Sequence, residues 1–347
     1  MPKFTVLTEI HKELDAKFSP FHGWSLPVNY PGGVLAEHKH TNSYCSIFDA
    51  SYSGKFRIAG TGCAAFLDNL LMYKASLLEP GKSCRNHLLA NNGCFIDTVT
   101  VCRMADEDFF ITSGAENAAK VCKLFSENLP SGVTCQDLSE LIAQIDLLGP
   151  ASPDVLQEAE AENLPGDNCC GIVEIAEIRC IINKPSDAGC CVYELFCSAD
   201  NAIDLWDELT CIEPVRPCGT GAKDAVRVEK GILLPEYNAA VTPLDCGLEI
   251  PDYDFNGKTA LSAAEPSVYF VFVKLDSKQS AHAGTAVALP SGEEIGTVSS
   301  SCLSPVYGCA CAICRINAAV QTEPGSKVLF LTGSSTPLSG IVCTPEV

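Results

Sequence analysis

The chain has 347 residues, 47% of them hydrophobic, and its 23 basic and 43 acidic side chains leave a formal charge of −20. The length predicts two or three domains of roughly 100–200 residues each, and the hydrophobic content excludes wholesale disorder. So acidic a surface repels phosphate backbones and anionic lipid, which argues against nucleic-acid and membrane-surface partners. No apolar run approaches the ~18–20 residues of a transmembrane helix.

The first residues, Met1-Pro2-Lys3-Phe4, lack the apolar core and small-residue cleavage site of a signal peptide, and they are not an Arg-rich transit sequence. A cytoplasmic location is expected. The 21 cysteines are odd in number, so they cannot all pair internally. Disulfide scaffolds are short and secreted, and this chain reads as neither. Most of the cysteines lie in apolar stretches such as Ile178-Arg179-Cys180-Ile181-Ile182. They read as small buried hydrophobes in a reducing compartment.

In chain order, β-branched content predicts strands at 54–59 and 94–102. Ala118, Val121, Cys122, Phe125 and Leu129 then share one face of a helix over 114–129. A strand follows at 141–148. Ser152-Pro153-Asp154 opens a second helix, with Ser as N-cap and Pro at the first helical position. Strands at 171–182 and 192–197 precede a third helix, Ser198 to Thr210, with Ala202, Trp206 and Leu209 on one face. Strands and helices mix without strict alternation, so the fold class is α+β rather than a doubly wound sheet. Beyond residue 265 the texture changes. Val268 to Leu275 is a strand, and short apolar runs follow, separated by Pro290-Ser291-Gly292, Ser304-Pro305 and Pro324-Gly325. This predicts a small all-β domain over 265–347, a sandwich or barrel, after a first region over 1–260.

Several motifs invite chemical readings that their context does not support. Gly219-Thr220-Gly221 lacks the third glycine and the distant acidic residue of a nucleotide loop, so it reads as a loop-to-helix turn. Cys309, Cys311 and Cys314, with Cys302 near, could suggest zinc or an iron–sulfur cluster. In a strand over 308–316, however, Cys309 and Cys311 point one way and Cys314 the other. No metal site is expected. His22, His38, His40 and His87 show no H-E-x-x-H spacing, and there is no G-x-S-x-G elbow.

Residues 21–38 read Phe-His-Gly-Trp-Ser-Leu-Pro-Val-Asn-Tyr-Pro-Gly-Gly-Val-Leu-Ala-Glu-His. This resembles the F-x-G-W-x-M-P-V-x-Y segment, followed by E-H, of the glycine cleavage T-protein family, the folate-dependent aminomethyltransferases. Phe48-Asp49-Ala50-Ser51-Tyr52-Ser53-Gly54 is similar to F-D-V-S-H-M-G, and Asn92 to Thr98 to D-G-G-I-L-D-D. Leu148-Gly149-Pro150 is similar to Q-G-P. Arg216 to Asp224 is similar to R-P-C-G-L-G-A-R-D, with Arg227-Val228-Glu229 for R-L-E, and Gly296 to Gly308 to G-x-V-T-S-G-T-F-S-P-T-L-G. The matches run in order along nearly the whole chain.

The resemblance implies a folate-binding region of two intertwined α+β subdomains followed by a C-terminal β-barrel. It implies that a lipoyl carrier protein of the glycine cleavage system delivers an aminomethyl group to tetrahydrofolate, releasing ammonia. Glu194, at the family's F-E-I position, is the implied carboxylate for the pterin edge, where a bidentate acceptor meets ring donors. The implied catalytic carboxylate is the second Asp of the D-D pair. Here the pair reads Asp97-Thr98. Adjacent residues of a strand face opposite ways, so Asp97 does not take its neighbour's place without a register slip or bulge. Other positions that would line the folate site are also changed: Lys223 for Arg, Ser113 for Asn and Arg85 for Tyr. Lys184 to Gly189 stands where the family has T-G-Y-T-G-E, and Leu234-Pro235-Glu236-Tyr237 shortens L-Y-G-x-E. Asp97 and Thr98 thus mark the catalytic position, and Glu194, Lys223, Ser113 and Arg85 the folate site. Two accounts follow: a folate-dependent aminomethyl or other one-carbon transferase, or a non-catalytic homologue that binds folate or a partner. The K-G-C-Y-x-G-Q-E motif of the related iron–sulfur repair proteins does not occur.

Overall fold

The structure, a computed structural model, describes residues 2–186, 191–234, 240–334 and 336–345. A short helix α1 (Thr8–Glu13) leads into the hairpin β1 (Lys17–Phe21) and β2 (Trp24–Asn29). Helix α2 (Val34–Ser43) follows, then β3 (Cys45–Asp49), β4 (Gly54–Ala59), α3 (Cys63–Leu70), β5 (Ser83–Leu89), β6 (Phe95–Ala105) and β7 (Asp108–Ser113). Next come α4 (Ala118–Glu127), β8 (Thr134–Asp137), β9 (Ile142–Leu148), α5 (Ser152–Glu158), β10 (Cys169–Ile175), β11 (Ile178–Lys184) and β12 (Val192–Ser198). Helix α6 (Ala202–Thr210), β13 (Val215–Pro217), α7 (Thr220–Glu229) and α8 (Lys258–Ser262) complete the first region. Strands β14 (Val268–Leu275), β15 (Ala286–Ala288), β16 (Glu294–Leu303), β17 (Ala310–Asn317), β18 (Lys327–Leu331) and β19 (Leu338–Cys343) close into a barrel.

Two sheets build the first region, in the orders β10-β11-β12-β9-β3-β13 and β5-β6-β7-β4-β8. Period-2 alternation decides which side chains each sheet sends where. In the six-stranded sheet Ile145, Leu147, Ile182 and Leu195 pack on Val155, Leu205 and Trp206 of α5 and α6. In the five-stranded sheet Phe56, Val99, Val101 and Ile111 pack on Phe66 of α3 and Val121 and Phe125 of α4. The inner faces of the two sheets meet through Cys102, Phe110, Cys170 and Phe196, with the Phe110 and Phe196 rings edge to face at 4.9 Å. Helix α7 bridges the six-stranded sheet and the barrel. Ala222 packs on Phe48 and Leu148, while Ala225 and Val228 pack on Phe272, Cys311 and Ile313.

The α+β class and the barrel agree with expectation, but three local readings change. The stretch 171–182 is a hairpin, not one strand: β10 and β11 turn back at Ala176 and Glu177, with φ of 46° and 64°. Neither is a glycine or asparagine, so no turn signal marked the reversal. Ser152 is not an N-cap. It is the first residue of α5, fully buried, with its hydroxyl 3.5 Å from Cys45 Sγ. The helix expected over 114–129 starts at Ala118, after a turn closed by Asn117 N on the Gly114 oxygen at 3.3 Å. The expected opposition of Cys311 and Cys314 holds: Cys309 lies just before β17, and on that strand Cys311 packs outward against α7 while Cys314 joins the barrel interior. Among the described residues no cluster of three or more His, Cys, Asp or Glu is placed to hold a metal.

Candidate active site

A cavity of about 310 Å³ opens where the sheets' inner faces meet α7. The six-stranded sheet contributes Asp146, Leu148, Val192 and Glu194; the five-stranded sheet contributes Ser83, Cys84, Arg85 and Thr100; α7 contributes Thr220, Lys223, Asp224 and Arg227. Phe21 and Tyr52 come from the N-terminal segments.

The register sets the polar row. Glu194 on β12 lies opposite Asn183 of β11 on one side and Asp146 of β9 on the other. All three therefore share the inner face. Asn183 Nδ2 donates to Glu194 Oε2 at 2.8 Å. Gln144 Nε2 donates to Asp146 Oδ1 at 2.9 Å, and the Lys223 ammonium donates to Asp146 Oδ2. Burial, and then the Asp146 charge, push Glu194 up to about 7 against the opposing pull of Asn183, Lys223 and Arg85. Burial works against the Lys223 charge, but Asp146 and its neighbours outweigh it and hold the ammonium well above the usual lysine range.

Lys223 is carried by the first turn of α7, and that turn is fixed by close backbone approach. A Cβ at Gly219 would lie 2.4 Å from Val28 backbone atoms, and one at Gly221 2.9 Å from the Val28 oxygen. The buried Glu37 carboxylate accepts from Tyr30 N at 2.6 Å and Gly219 N at 2.8 Å, tying the β2 end to the α7 start. Glycine-threonine-glycine here is a packing device rather than a phosphate loop.

Of the residues singled out in the sequence, Glu194, Lys223 and Arg85 come together on the cavity wall, and Asp97, Thr98 and Ser113 are not among its lining residues. Asp97 is fully buried on the opposite face of β6, where its Oδ2 accepts from Gly114 N at 3.0 Å. Ser113 ends β7 on that same face, opposite Val99, and is also buried. Thr98 shares the inner face with Thr100, one pair further along, and its hydroxyl lies 3.1 Å from Nδ1 of its cross-strand partner His87. Burial, with Arg85 adding, pulls His87 down to about 4. Part of the segment 184–189 and residues 235–237 lie outside the described residues.

Asp146 escaped the sequence reading, as did Tyr52 and Thr100. Its signal was present: a lone acidic residue inside the otherwise uncharged strand Ile142–Leu148. Another buried network was also missed. His11 Nε2 meets Asp49 Oδ2 at 3.0 Å, Thr5 donates to the same oxygen at 2.6 Å, and Tyr30 OH lies 2.9 Å from His11 Nδ1. None of these four residues lines the cavity, and together they tie α1 to the F-D-A-S segment.

Two facing sheets bridged by a helix to a closed six-stranded barrel, with a largely apolar cavity holding opposed charged groups at the junction, define a T-protein-like fold. Residues 7–251 match the family described as GCVT N-terminal domain. An aminomethyltransferase of Parafrankia sp. is 31% identical over 320 residues, covering 86% of this chain and 86% of its own. One from Saccharopolyspora erythraea is 28% identical and covers 99% of this chain and 98% of its own. The crystal structure of glycine cleavage system aminomethyltransferase T from Bartonella henselae superposes with a TM-score of 0.89 at 26% identity, covering 99% of this chain and 97% of that one. The chain belongs to the glycine cleavage T-protein family of aminomethyltransferases.

Proposed function

We propose that the protein is a tetrahydrofolate-dependent one-carbon transferase whose cavity takes the reduced pteridine edge-on against Glu194. The observation that carries this reading is Glu194 itself: an inward-facing carboxylate with one oxygen held by Asn183, on the wall of a 310 Å³ cavity. Leu148 and Val192 supply apolar wall for a flat ring, and Phe21 and Tyr52 supply aromatic edges. A few placed polar groups in an apolar lining are what a small-molecule site needs. An ionised Glu194 accepts two N–H donors from the pteridine edge.

The donor is an aminomethyl group on the thiol of a lipoyl carrier protein, as the relatives' activity suggests. In that transfer the carbon's bonds to the carrier sulfur and to its own amino nitrogen break, two bonds to folate nitrogens form, and the two N–H protons the folate gives up leave on the carrier thiol and the ammonia. Cytoplasmic placement and docking of the carrier belong to the same proposal.

The test is calorimetric titration with tetrahydrofolate, followed by turnover with an aminomethyl-loaded carrier. Tetrahydrofolate should bind, and Glu194→Ala should weaken that binding by about 1–3 kcal/mol, roughly 5- to 150-fold. An unaltered dissociation constant in the variant rejects Glu194 as the pteridine anchor. Binding without turnover assigns the chain to a folate-binding homologue instead.

A further inference from the structure

We propose that Asp146 is a positioning residue for this cavity: by engaging Lys223 and Gln144 it leaves Glu194 as the carboxylate whose charge a bound ligand's N–H donors must meet. The proposal rests on the reading of the cavity as a pteridine site, and it explains how that site recognises its ligand.

The geometry is a row across three strands. Asn183, Glu194 and Asp146 stand side by side on the inner face, with two carboxylates directly opposed in the middle. Like charges so placed repel, and the nearer cation, Lys223, is hydrogen-bonded to Asp146 rather than to Glu194. The protein resolves the conflict unequally. Asp146 has both oxygens occupied, Oδ1 by Gln144 and Oδ2 by Lys223. Glu194 has one amide donor among the described residues, on Oε2. Its second oxygen is the acceptor offered to the cavity.

The other groups around Glu194 do not change that division. Arg85 on β5 lowers its proton affinity, though less than Asp146 raises it. Tyr52 is held neutral by burial. Asp224 and Arg227 pair with each other on α7 at 2.6 Å, and the Cys102 thiol is pushed up through its contact with Cys170 and by burial. With Thr98 uncharged and Asp97 turned to the opposite face of β6, the two carboxylates of the six-stranded sheet carry the cavity's acidic chemistry.

Sign and direction follow. Removing the Asp146 charge frees Lys223 for Glu194, so Glu194 ionises more readily. Removing Lys223 does the reverse. The experiment is a pH-difference infrared titration of the ligand-free protein, reading the protonated-carboxyl band that Glu194→Gln abolishes. In the unsubstituted protein this band should titrate at about pH 7. Asp146→Asn, nearly isosteric, should lower the midpoint by about one unit or more, and Lys223→Met should raise it. Tetrahydrofolate affinity measured from pH 6 to 8 should weaken as pH falls in the unsubstituted protein and flatten in Asp146→Asn. A midpoint unmoved in both variants overturns the role given to Asp146, whatever binds. Shifted midpoints without any tetrahydrofolate binding uphold that role and overturn the pteridine reading instead.

Discussion

At the scale of single residues, the two sides of β6 separate what the sequence made legible from what it hid. Strand parity showed in advance that Asp97 and Thr98 face opposite ways. The structure gives each its partner: Gly114 N for Asp97, His87 for Thr98. Glu194 was legible because its neighbours Tyr193 and Leu195 resemble a known segment. Asp146 was not, because it sits inside an apolar strand, and only the cross-strand register reveals that it opposes Glu194. The Thr98–His87 pair yields a prediction. A carboxylate in place of the Thr98 hydroxyl would sit beside Nδ1 of an imidazole that burial holds at about 4. An opposite charge at that range favours the protonated ring, so Thr98→Asp should raise the His87 midpoint by about 1–3 units. Proton NMR titration of the ring hydrogens reads this directly. Any residual aminomethyl transfer should rise in the same variant, since the substitution places a carboxylate on the inner face. A His87 midpoint left near 4 would mean that the new carboxylate points elsewhere.

At the scale of elements, β-branched and apolar runs sufficed to find strands β4, β9, β12 and β14 to within a residue. Local signals failed where tertiary contacts decide the backbone. Helix α4 is preceded by a turn over 114–117 where the apolar spacing predicted helix, and α5 starts at a serine whose hydroxyl has a buried thiol beside it rather than a backbone N–H to cap. The β10–β11 turn is the clearest case. Ala176 and Glu177 both sit in the left-handed region, where a Cβ meets the carbonyl oxygen at a cost of roughly 1–2 kcal/mol per residue. The register Ile175↔Ile178 leaves those two residues as the whole loop, so the strands impose a conformation that the turn residues resist. Glu177→Gly removes the steric cost at φ 64° while adding chain entropy to the unfolded state. The net effect should be stabilisation by several tenths to about 1 kcal/mol. Urea unfolding checks it, and a loss of stability would show that the Glu177 side chain contributes more than its backbone strain costs.

At the scale of the whole molecule, proline and glycine spacing made a small all-β domain legible, a sandwich or barrel, and the family resemblance chose the barrel; how it joins the rest was not legible. The joint is Glu229, the last residue of α7. Its carboxylate accepts from Asn42 of α2 at 2.7 Å and from the Ser304 hydroxyl after β16, and lies 3.2 Å from His38 Nε2. One buried side chain thus ties α2, α7 and the barrel, and α7 is also the element that carries Lys223 into the cavity. Burial opposes its charge, but the His38, Ser304 and Asn42 contacts outweigh burial and bring Glu229 down to about 2. A folded-state value below the unfolded one contributes stability that is complete above the ordinary carboxylate range and is lost as pH falls towards 2. Glu229→Gln keeps the shape and one acceptor but removes the charge, so it should cost roughly 1.5–3 kcal/mol at pH 6, the worth of hydrogen bonds to an ionised group. The same comparison at pH 3 should show a smaller gap, because the unsubstituted protein is then losing what the variant never had. Urea unfolding at the two pH values measures both differences. A gap that stays constant between them would show that the ionised carboxylate is not what fastens the barrel to α7.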